Sequence, residues 1–377
     1  MFVSDIHLNN FRNYKSFDLC FSDGVTVLYG KNGLGKTNIL EAVFLTVIGK
    51  SFRNSKDADL IRYGEQEFNI NLSIKEDITE NISIKYEKNR EKYIKVNGFY
   101  LRKMGHLMGN VIAVIFSPED LQLITEGPAE RRKFMDIAIS QLYPSYYFDL
   151  LQYNKIIAQK NSLLKNVKYQ NSASNREMID LWNDQLSEAG SKIIYKRYEF
   201  INEICKIASE KNKIISGKET LKMQYDSGTF TSEEMGDVDF TNKEEICRKM
   251  KMYLLQKMDK EIEREAAYIG PHRDDIIFKL EDNDIKRFGS QGQKRTAVLS
   301  LKMSELELLK KKTGRKPIFL LDDVLSELDI NRQRSLINEL TNIQTLITCT
   351  HIEDTIKGIS SFKAIELEKL IEKNPLQ

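Results

Sequence analysis

The stretch Gly30-Lys-Asn-Gly-Leu-Gly-Lys-Thr37 decides how the rest of the chain is read. It fits the pattern G-x-x-x-x-G-K-[ST] in the context that pattern requires: the apolar run "VTVLYG" (Val25 to Gly30) before it, and the helix-forming run "TNILEAVFLTVIG" (Thr37 to Gly49) after it. Gly30, Gly33 and Gly35 permit the backbone conformations that turn successive N–H groups inward around a phosphate. Lys36 is placed to reach the β- and γ-phosphates of a nucleotide, and the Thr37 hydroxyl to ligate Mg²⁺. A glycine-rich turn that matches by chance is the competing reading, and the flanking strand and helix weigh against it.

Two later stretches gain meaning from this loop. In "PIFLLDDVLSELD" (Pro317 to Asp329), the apolar residues Ile318 to Leu321 predict a buried strand ending in Asp322 and Asp323. The C-terminal edge of such a strand is where α/β sheets bind ligands. Asp322 suits Mg²⁺, and Asp323 suits orienting or deprotonating a water; a capped helix start is the alternative. "FGSQGQKRTAVLSL" (Phe288 to Leu301) reads as a second anion-attracting helix start. Ser290 can accept a hydrogen bond from an N–H one turn in, and Gly292 leaves amides bare.

The 377 residues suffice for two domains, and 41% hydrophobic with 30% charged residues excludes a disordered or membrane-spanning chain. The net charge of +2 neither demonstrates nor excludes a nucleic-acid partner, because clustering decides that. Four scattered cysteines without a CxxC pair predict free thiols. The N-terminus lacks the apolar core of a signal peptide and no run approaches a membrane span, so a cytoplasmic protein without membrane contact is expected.

Alternating runs up to about residue 120 ("FNINLSIK", "ISIKY", "KYIKVNGFYLRK") predict an antiparallel sheet beside the more buried strand that precedes the loop. From about Pro128 to Ala267 the spacing is helical, with a longest candidate of about 35 residues, and "LKMQY" is a possible strand in that region. Strand and helix alternate again from Tyr268, with "DIIFKL" assigned to the returning α/β part. The expected organisation is one α/β phosphate-loop head, residues 1–122 and 267–377, interrupted by a mostly helical arm, residues 123–266.

The phosphate loop, the Ser-Gln-Gly-Gln helix start and "LLDDVLSELD" (Leu320 to Asp329) resemble, in that order, the ATP-binding-cassette ATPases. With "LNNFRNY" (Leu8 to Tyr14), "FSPEDL" (Phe116 to Leu121), "ERRKFMD" (Glu130 to Asp136) and "GPHRDD" (Gly270 to Asp275), the chain more closely resembles the RecF family, in the branch that includes SMC proteins. The resemblance implies a cassette-type head that binds ATP and Mg²⁺, dimerises head to head on ATP and hydrolyses it slowly, as a weak DNA-stimulated ATPase. It implies binding to double-stranded DNA at gaps or junctions, and joint action with RecR and RecO in loading RecA during repair. Carried onto this sequence, Gly30, Lys31, Asn32, Gly33, Leu34, Gly35, Lys36 and Thr37 hold the phosphates. Thr37 and Asp322 hold Mg²⁺, and Asp323 stands at the catalytic carboxylate. Ser290, Gln291, Gly292 and Gln293 form the signature that meets the partner subunit's ATP, and Asp329 closes the loop that crosses the interface. His351 stands where a γ-phosphate sensor sits, and a capping or surface histidine fits equally.

Departures from the cassette pattern are visible. Gln291 replaces a small residue, Asp323 replaces a longer glutamate, and the usual glutamine loop has only Gln122 as a candidate. Arg12 is a candidate nucleotide contact or a structural cation. An SMC-like head and a transporter ATPase are the alternatives; the first needs a far longer insertion, the second a glutamine loop and a glutamate. Candidate DNA contacts are "ERRK" (Glu130 to Lys133), the lysines of "YNKIIAQKNSLLKNVKY", "SKIIYKRY", and "KKKTGRK" (Lys310 to Lys316). Each is also readable as a solvated face, and Tyr153, Tyr169, Tyr195 and Tyr198 as core or stacking residues.

Overall fold

The computed structural model describes residues 1–76, 79–167, 172–230, 232–340, 342–352, 359 and 361–373. The chain divides into two compact units: Met1–Leu121 with Ile214–Gly217 and Arg295–Gln377, and Gln122–Lys213 with Lys218–Lys294. Its strands are β1 (Phe2–Phe11), β2 (Tyr14–Cys20), β3 (Val25–Tyr29), β4 (Glu67–Lys75), β5 (Thr79–Glu87), β6 (Tyr93–Val96), β7 (Phe99–Tyr100), β8 (Ala113–Phe116), β9 (Leu221–Asp226), β10 (Asp275–Leu280), β11 (Asn283–Asp284), β12 (Ile318–Asp322), β13 (Thr345–Cys349) and β14 (Phe362–Glu366).

The first unit holds two sheets of opposite character. One is antiparallel, in the order β2-β1-β4-β5-β6-β7. In β4, Phe68, Ile70, Leu72 and Ile74 are buried while the residues between them are not, as a sheet with one solvated face requires. Asn97 and Gly98 join β6 to β7 with φ of 52° and 83°, the left-handed pair a two-residue hairpin needs. The other sheet is parallel, in the order β14-β3-β13-β12-β8. All residues of β8, β12 and β13 are buried, which explains their unbroken apolar runs.

The Lys36–Ile48 helix is buried over nearly its whole length, from Ile39 to Ile48 without a gap, and so reads as a core helix. The helix is bounded by Gly35 and Gly49, both left-handed, with φ of 92° and 74°. Among the described residues no helix is long and apolar enough to cross a membrane.

The second unit is built on helices Pro128–Leu142, Pro144–Val167, Ala173–Ser216, Lys243–Gln256 and Met258–Arg264, with a three-stranded antiparallel sheet in the order β11-β10-β9. Here the structure departs from the sequence reading. The "DIIFKL" strand is β10, and it pairs antiparallel with β9 from Asp275↔Asp226 to Leu280↔Leu221 instead of joining the parallel sheet. Its alternating burial marks a strand covered on one face, unlike the fully buried β12. Among the described residues the longest helix runs 44 residues, about 65 Å; it exceeds the expected length because it continues through the buried Gly190 and ends only before Gly217, whose φ is 84°.

A buried polar network explains the "GPHRDD" stretch. The Arg197 guanidinium donates to Tyr146 Oη (2.9 Å), the Pro271 carbonyl (2.6 Å), Asp274 Oδ2 (2.8 Å) and Asp136 Oδ1 (2.8 Å). Asp274, fully buried, also accepts from the Tyr225 hydroxyl at 2.5 Å and the Gly228 N–H at 2.8 Å. His272 Nδ1 lies 2.8 Å from the Tyr153 hydroxyl, and burial pulls the imidazole pKa down to about 4. The folded state therefore favours neutral His272, and the unfolded chain binds the extra proton first. Acidification from about pH 6.5 to about pH 4 is thus expected to remove roughly 3 kcal/mol of stability. Urea unfolding across this pH range checks it, and a His272→Gln chain should lose that part of the slope.

Candidate nucleotide site

The phosphate loop leaves β3 at the carboxyl edge of the parallel sheet. Register pairs Tyr29 with Cys349 and Asp322 with Thr348, so the ends of β3, β13 and β12 come together there. Gly30, Gly33 and Gly35 have φ of 144°, 87° and 92°, the left-handed conformations the loop was expected to need. A Cβ at Gly35 would fall 2.7 Å from both Asn13 Oδ1 and Tyr14 Oη. Lys31, Asn32 and Gly33 are exposed, and Leu34 is half-buried.

Lys36 is buried and turned back on its own loop, donating to the Gly30 carbonyl at 2.5 Å and the Lys31 carbonyl at 2.8 Å. Burial draws its ammonium pKa down, opposed first by the Asp323 carboxylate. The Thr37 hydroxyl donates to Asp322 Oδ1 at 2.7 Å, and the Thr348 hydroxyl donates to the same oxygen, also at 2.7 Å. Burial raises the Asp322 carboxyl, against these two hydrogen bonds. One hydroxyl and one carboxylate make an incomplete protein-only metal site. They suit Mg²⁺, whose remaining ligands are ordinarily phosphate oxygens and water.

Asp323 follows with φ of 52°, a left-handed conformation unusual outside glycine. The Thr348 backbone carbonyl and hydroxyl hold its N–H at 3.2 and 3.0 Å, and Ser326 Oγ donates to its carbonyl at 2.8 Å. The turn after Asp322 is therefore held at its backbone from β13 and from Ser326. His351 is exposed two residues beyond β13. Asp329 caps the Ile330–Glu339 helix by accepting from the Arg332 N–H at 3.0 Å and pairs with the Arg332 guanidinium. Arg332 Nε also donates to Thr296 Oγ1 at 2.7 Å, and Gln333 Nε2 donates to the Leu325 and Leu328 carbonyls at 2.8 and 3.0 Å. The Ser326–Asp329 loop is thus held from its following helix.

Ser290 to Gln293 lie in the second unit. Ser290 Oγ accepts from the Gln293 N–H at 3.2 Å while the Gln293 side chain accepts from the Ser290 N–H at 2.7 Å, a reciprocal capping box. The Gln293 amide in turn donates to Glu219 at 2.7 Å. Ser290 and Gln291 remain exposed. Gln122 is exposed at the start of the short Gln122–Thr125 helix.

Arg12, a candidate nucleotide contact or structural cation in the sequence, is joined by supporting residues given no role there, Glu41, Ser51, Asn13 and Tyr14. Arg12 forms a two-pronged ion pair with Glu41 of the loop helix, at 2.8 Å on each prong, and also donates to Ser55 Oγ at 2.6 Å and the Asp59 carbonyl at 3.0 Å. Ser51 donates to the same carboxylate at 2.5 Å, and Glu41 is fully buried. Arg12 is therefore a structural cation under the loop helix. Within the same "LNNFRNY" stretch, Tyr14 donates to the Leu34 carbonyl at 3.0 Å and Asn13 accepts from Asn38 at 2.8 Å, bracing the loop. Burial raises the Tyr14 phenol well above its ordinary value.

Five of the expected DNA-contact cations are engaged within the fold. Arg131 is buried against Asp275, and Arg132 donates to the Asp274 carbonyl at 2.9 Å. Lys160 pairs with Glu261, both fully buried, Arg197 is in the network above, and Arg315 binds Glu76 and the Gly109 carbonyl. Lys155, Lys165, Lys310, Lys311 and Lys316 are exposed. Tyr153 is core and Tyr198 stacks on Phe240, while Lys168 and Tyr169 lie outside the described residues.

Residues 2–372 match the family model described as the RecF/RecN/SMC N terminal domain. A protein named DNA replication and repair protein RecF, from Acetivibrio thermocellus, is 42% identical over 355 residues, covering 94% of each chain. One of the same name from Lachnospira eligens is 42% identical over 360 residues, covering 95% of each. Among solved structures, the recombination mediator protein RecF-ATPrS in the RecFOR pathway superposes with a TM-score of 0.88 at 36% identity, over 97% of this chain and 96% of that one. An SMC head bound to the C-winged helix domain of ScpA shares the fold, with a TM-score of 0.54 at 13% identity, over 97% of this chain and 94% of that one.

The Arg12–Glu41 pair supplies a direct check on the site's scaffold. Glu41→Ala strips the half-buried guanidinium of its fully buried counter-charge and is expected to cost about 3 kcal/mol in the urea unfolding of the first unit.

Proposed function

The chain belongs to the RecF family, a cassette-type phosphate-loop ATPase head carrying an inserted, mostly helical arm, and from that premise we propose that it is an ATP-gated DNA clamp of recombinational repair. The observation that carries the reading is the Thr37–Asp322 hydrogen bond of 2.7 Å, which joins the phosphate loop to the end of β12 beside a buried Lys36. Solved relatives described with ATP and ATPrS support a nucleotide at this place.

In this reading Lys36 releases the Gly30 and Lys31 carbonyls and pairs with the β- and γ-phosphates, while the loop N–H groups surround them. Thr37 and Asp322 hold Mg²⁺, which when bound neutralises developing phosphate charge. Asp323 orients the attacking water, and its short side chain fits slow turnover and a switch-like use of hydrolysis. His351 is assigned to γ-phosphate sensing. Ser290 to Gln293 and Asp329 meet the ATP of a second copy, so that ATP drives homodimerisation. The dimer engages double-stranded DNA at gaps or junctions and acts with RecR- and RecO-type mediators in loading a RecA-type recombinase. The RecFOR description of a solved relative supports that assignment. Lys155 and Lys165, exposed on a helix with no acidic residue from Leu150 to Val167, are the favoured phosphate contacts of the arm.

Sedimentation with and without ATP tests the clamp: association is expected only with ATP. Ser290→Arg should abolish it while ATP binding by the monomer persists; dimers that ignore ATP, or nucleotide binding lost in that variant, sink the two-subunit account. DNA affinity is expected to fall with salt at a log–log slope near five, for about six neutralised phosphates. Lys155→Ala together with Lys165→Ala should lower that slope by about two. A flat salt response in the parent chain would exclude DNA as the partner.

A further inference from the structure

The first peptide of the phosphate loop is held from two sides. Its carbonyl, on Gly30, accepts from Lys36 Nζ at 2.5 Å, and the carbonyl of the next peptide, on Lys31, accepts from the same ammonium at 2.8 Å. Its N–H, on Lys31, donates to Glu368 Oε1 at 2.8 Å. Glu368 arrives from far along the chain, yet its place is set by strand register. Strand β14 pairs with β3 up to Glu366↔Tyr29, the Tyr29 hydroxyl donates to Glu366 Oε2 at 3.1 Å, and Leu367, fully buried, seats the start of the Leu367–Lys373 helix. The next residue is then fixed beside the loop. The fit is close: a Cβ on Gly30 would collide with the Glu368 carboxylate, and Glu368 Oε2 is buried with no hydrogen-bond partner among the described residues.

The two grips have different fates when a nucleotide binds. Lys36 is needed by the phosphates and must release both carbonyls. The Glu368 grip is on the opposite, N–H side of the same peptide and competes with no phosphate group for Lys36. Tyr14 braces the far side of the loop at Leu34, but without Glu368 the Gly30–Lys31 peptide would lose both its grips in one step as the lysine departs, and would have to be ordered at the expense of binding. We propose that Glu368 is a positioning residue for nucleotide binding, a carboxylate clip that keeps the Gly30–Lys31 peptide in place while Lys36 transfers to the phosphates. This inference rests on the ATP reading above.

The acceptor oxygen does the clipping, so a glutamine should replace the glutamate and an aspartate, one methylene shorter, should not. In calorimetric titrations of the full chain with Mg-ATP, Glu368→Ala and Glu368→Asp are expected to weaken binding about tenfold, and Glu368→Gln to stay within about threefold of the parent. The hydrolysis rate at saturating ATP should be unchanged in all three, as should the thermal midpoint without nucleotide, which a merely structural residue would lower. Glu368→Ala binding like the parent, Glu368→Gln failing with it, or a lower saturating rate at unchanged affinity would each overturn the clip. If the alanine chain does not fold, the aspartate and glutamine chains decide between themselves. A parent chain that binds no ATP overturns the nucleotide reading and the clip with it, whereas a binding parent with an indifferent Glu368→Ala overturns the clip alone.

Discussion

Parallel pairing forces the carboxyl ends of neighbouring strands to one edge of a sheet, and here that edge collects residues from distant parts of the chain. Once Leu28 lies opposite Thr348, and Thr348 opposite Asp322, the loop after Tyr29, the turn after Asp322 and the segment after Cys349 have nowhere else to go. Thr348 shows how much the register determines. Its hydroxyl reaches Asp322 while its backbone and side chain hold the N–H of Asp323, so one β13 residue fixes the first carboxylate and the backbone of the second. A slip of a single residue would break all three contacts at once.

What could be read from sequence was local. The glycine conformations of the loop, the apolar run ending in paired aspartates and the Ser290 helix cap each depend on residues a few positions apart, and each is found in the structure. What could not be read was the choice of partner across the chain. Arg12 with Glu41, Arg131 with Asp275 and Arg197 with Asp274 join residues 29 to 144 positions apart, and no spacing rule names the far member. The same limit misplaced "DIIFKL": a strand of alternating burial declares that it has one covered face, and says nothing of which sheet supplies its neighbours. The longest helix is foreseen, but at about 35 residues, because the run continues at both ends of that stretch, with Gly190 buried inside it, and ends only at Gly217.

The arginine-rich stretches of the second unit carry a related lesson. Guanidinium groups that look like a nucleic-acid footprint in sequence are here the inner struts of a polar network, each satisfied by carboxylates and carbonyls. Arginine suits that task because its planar fork serves several acceptors at once, whereas the buried Lys160 meets the single carboxylate of Glu261 and Lys155 and Lys165 of the same helix stay exposed. Any attraction to a polyanion is then left to exposed lysines such as Lys155 and Lys165 rather than to these arginines.

The reciprocal cap between Ser290 and Gln293 bears on how the proposed second copy would be recognised. A helix start whose N–H groups dangled in solvent would have to be organised by each arriving anion, at an entropic cost charged against affinity. This one is already folded around a surrogate made of its own side chains. In the proposed dimer an incoming phosphate would exchange places with an internal oxygen, and contact between two molecules would become a swap of ligands on a preformed template, quick to make and as quick to undo when the nucleotide is cleaved.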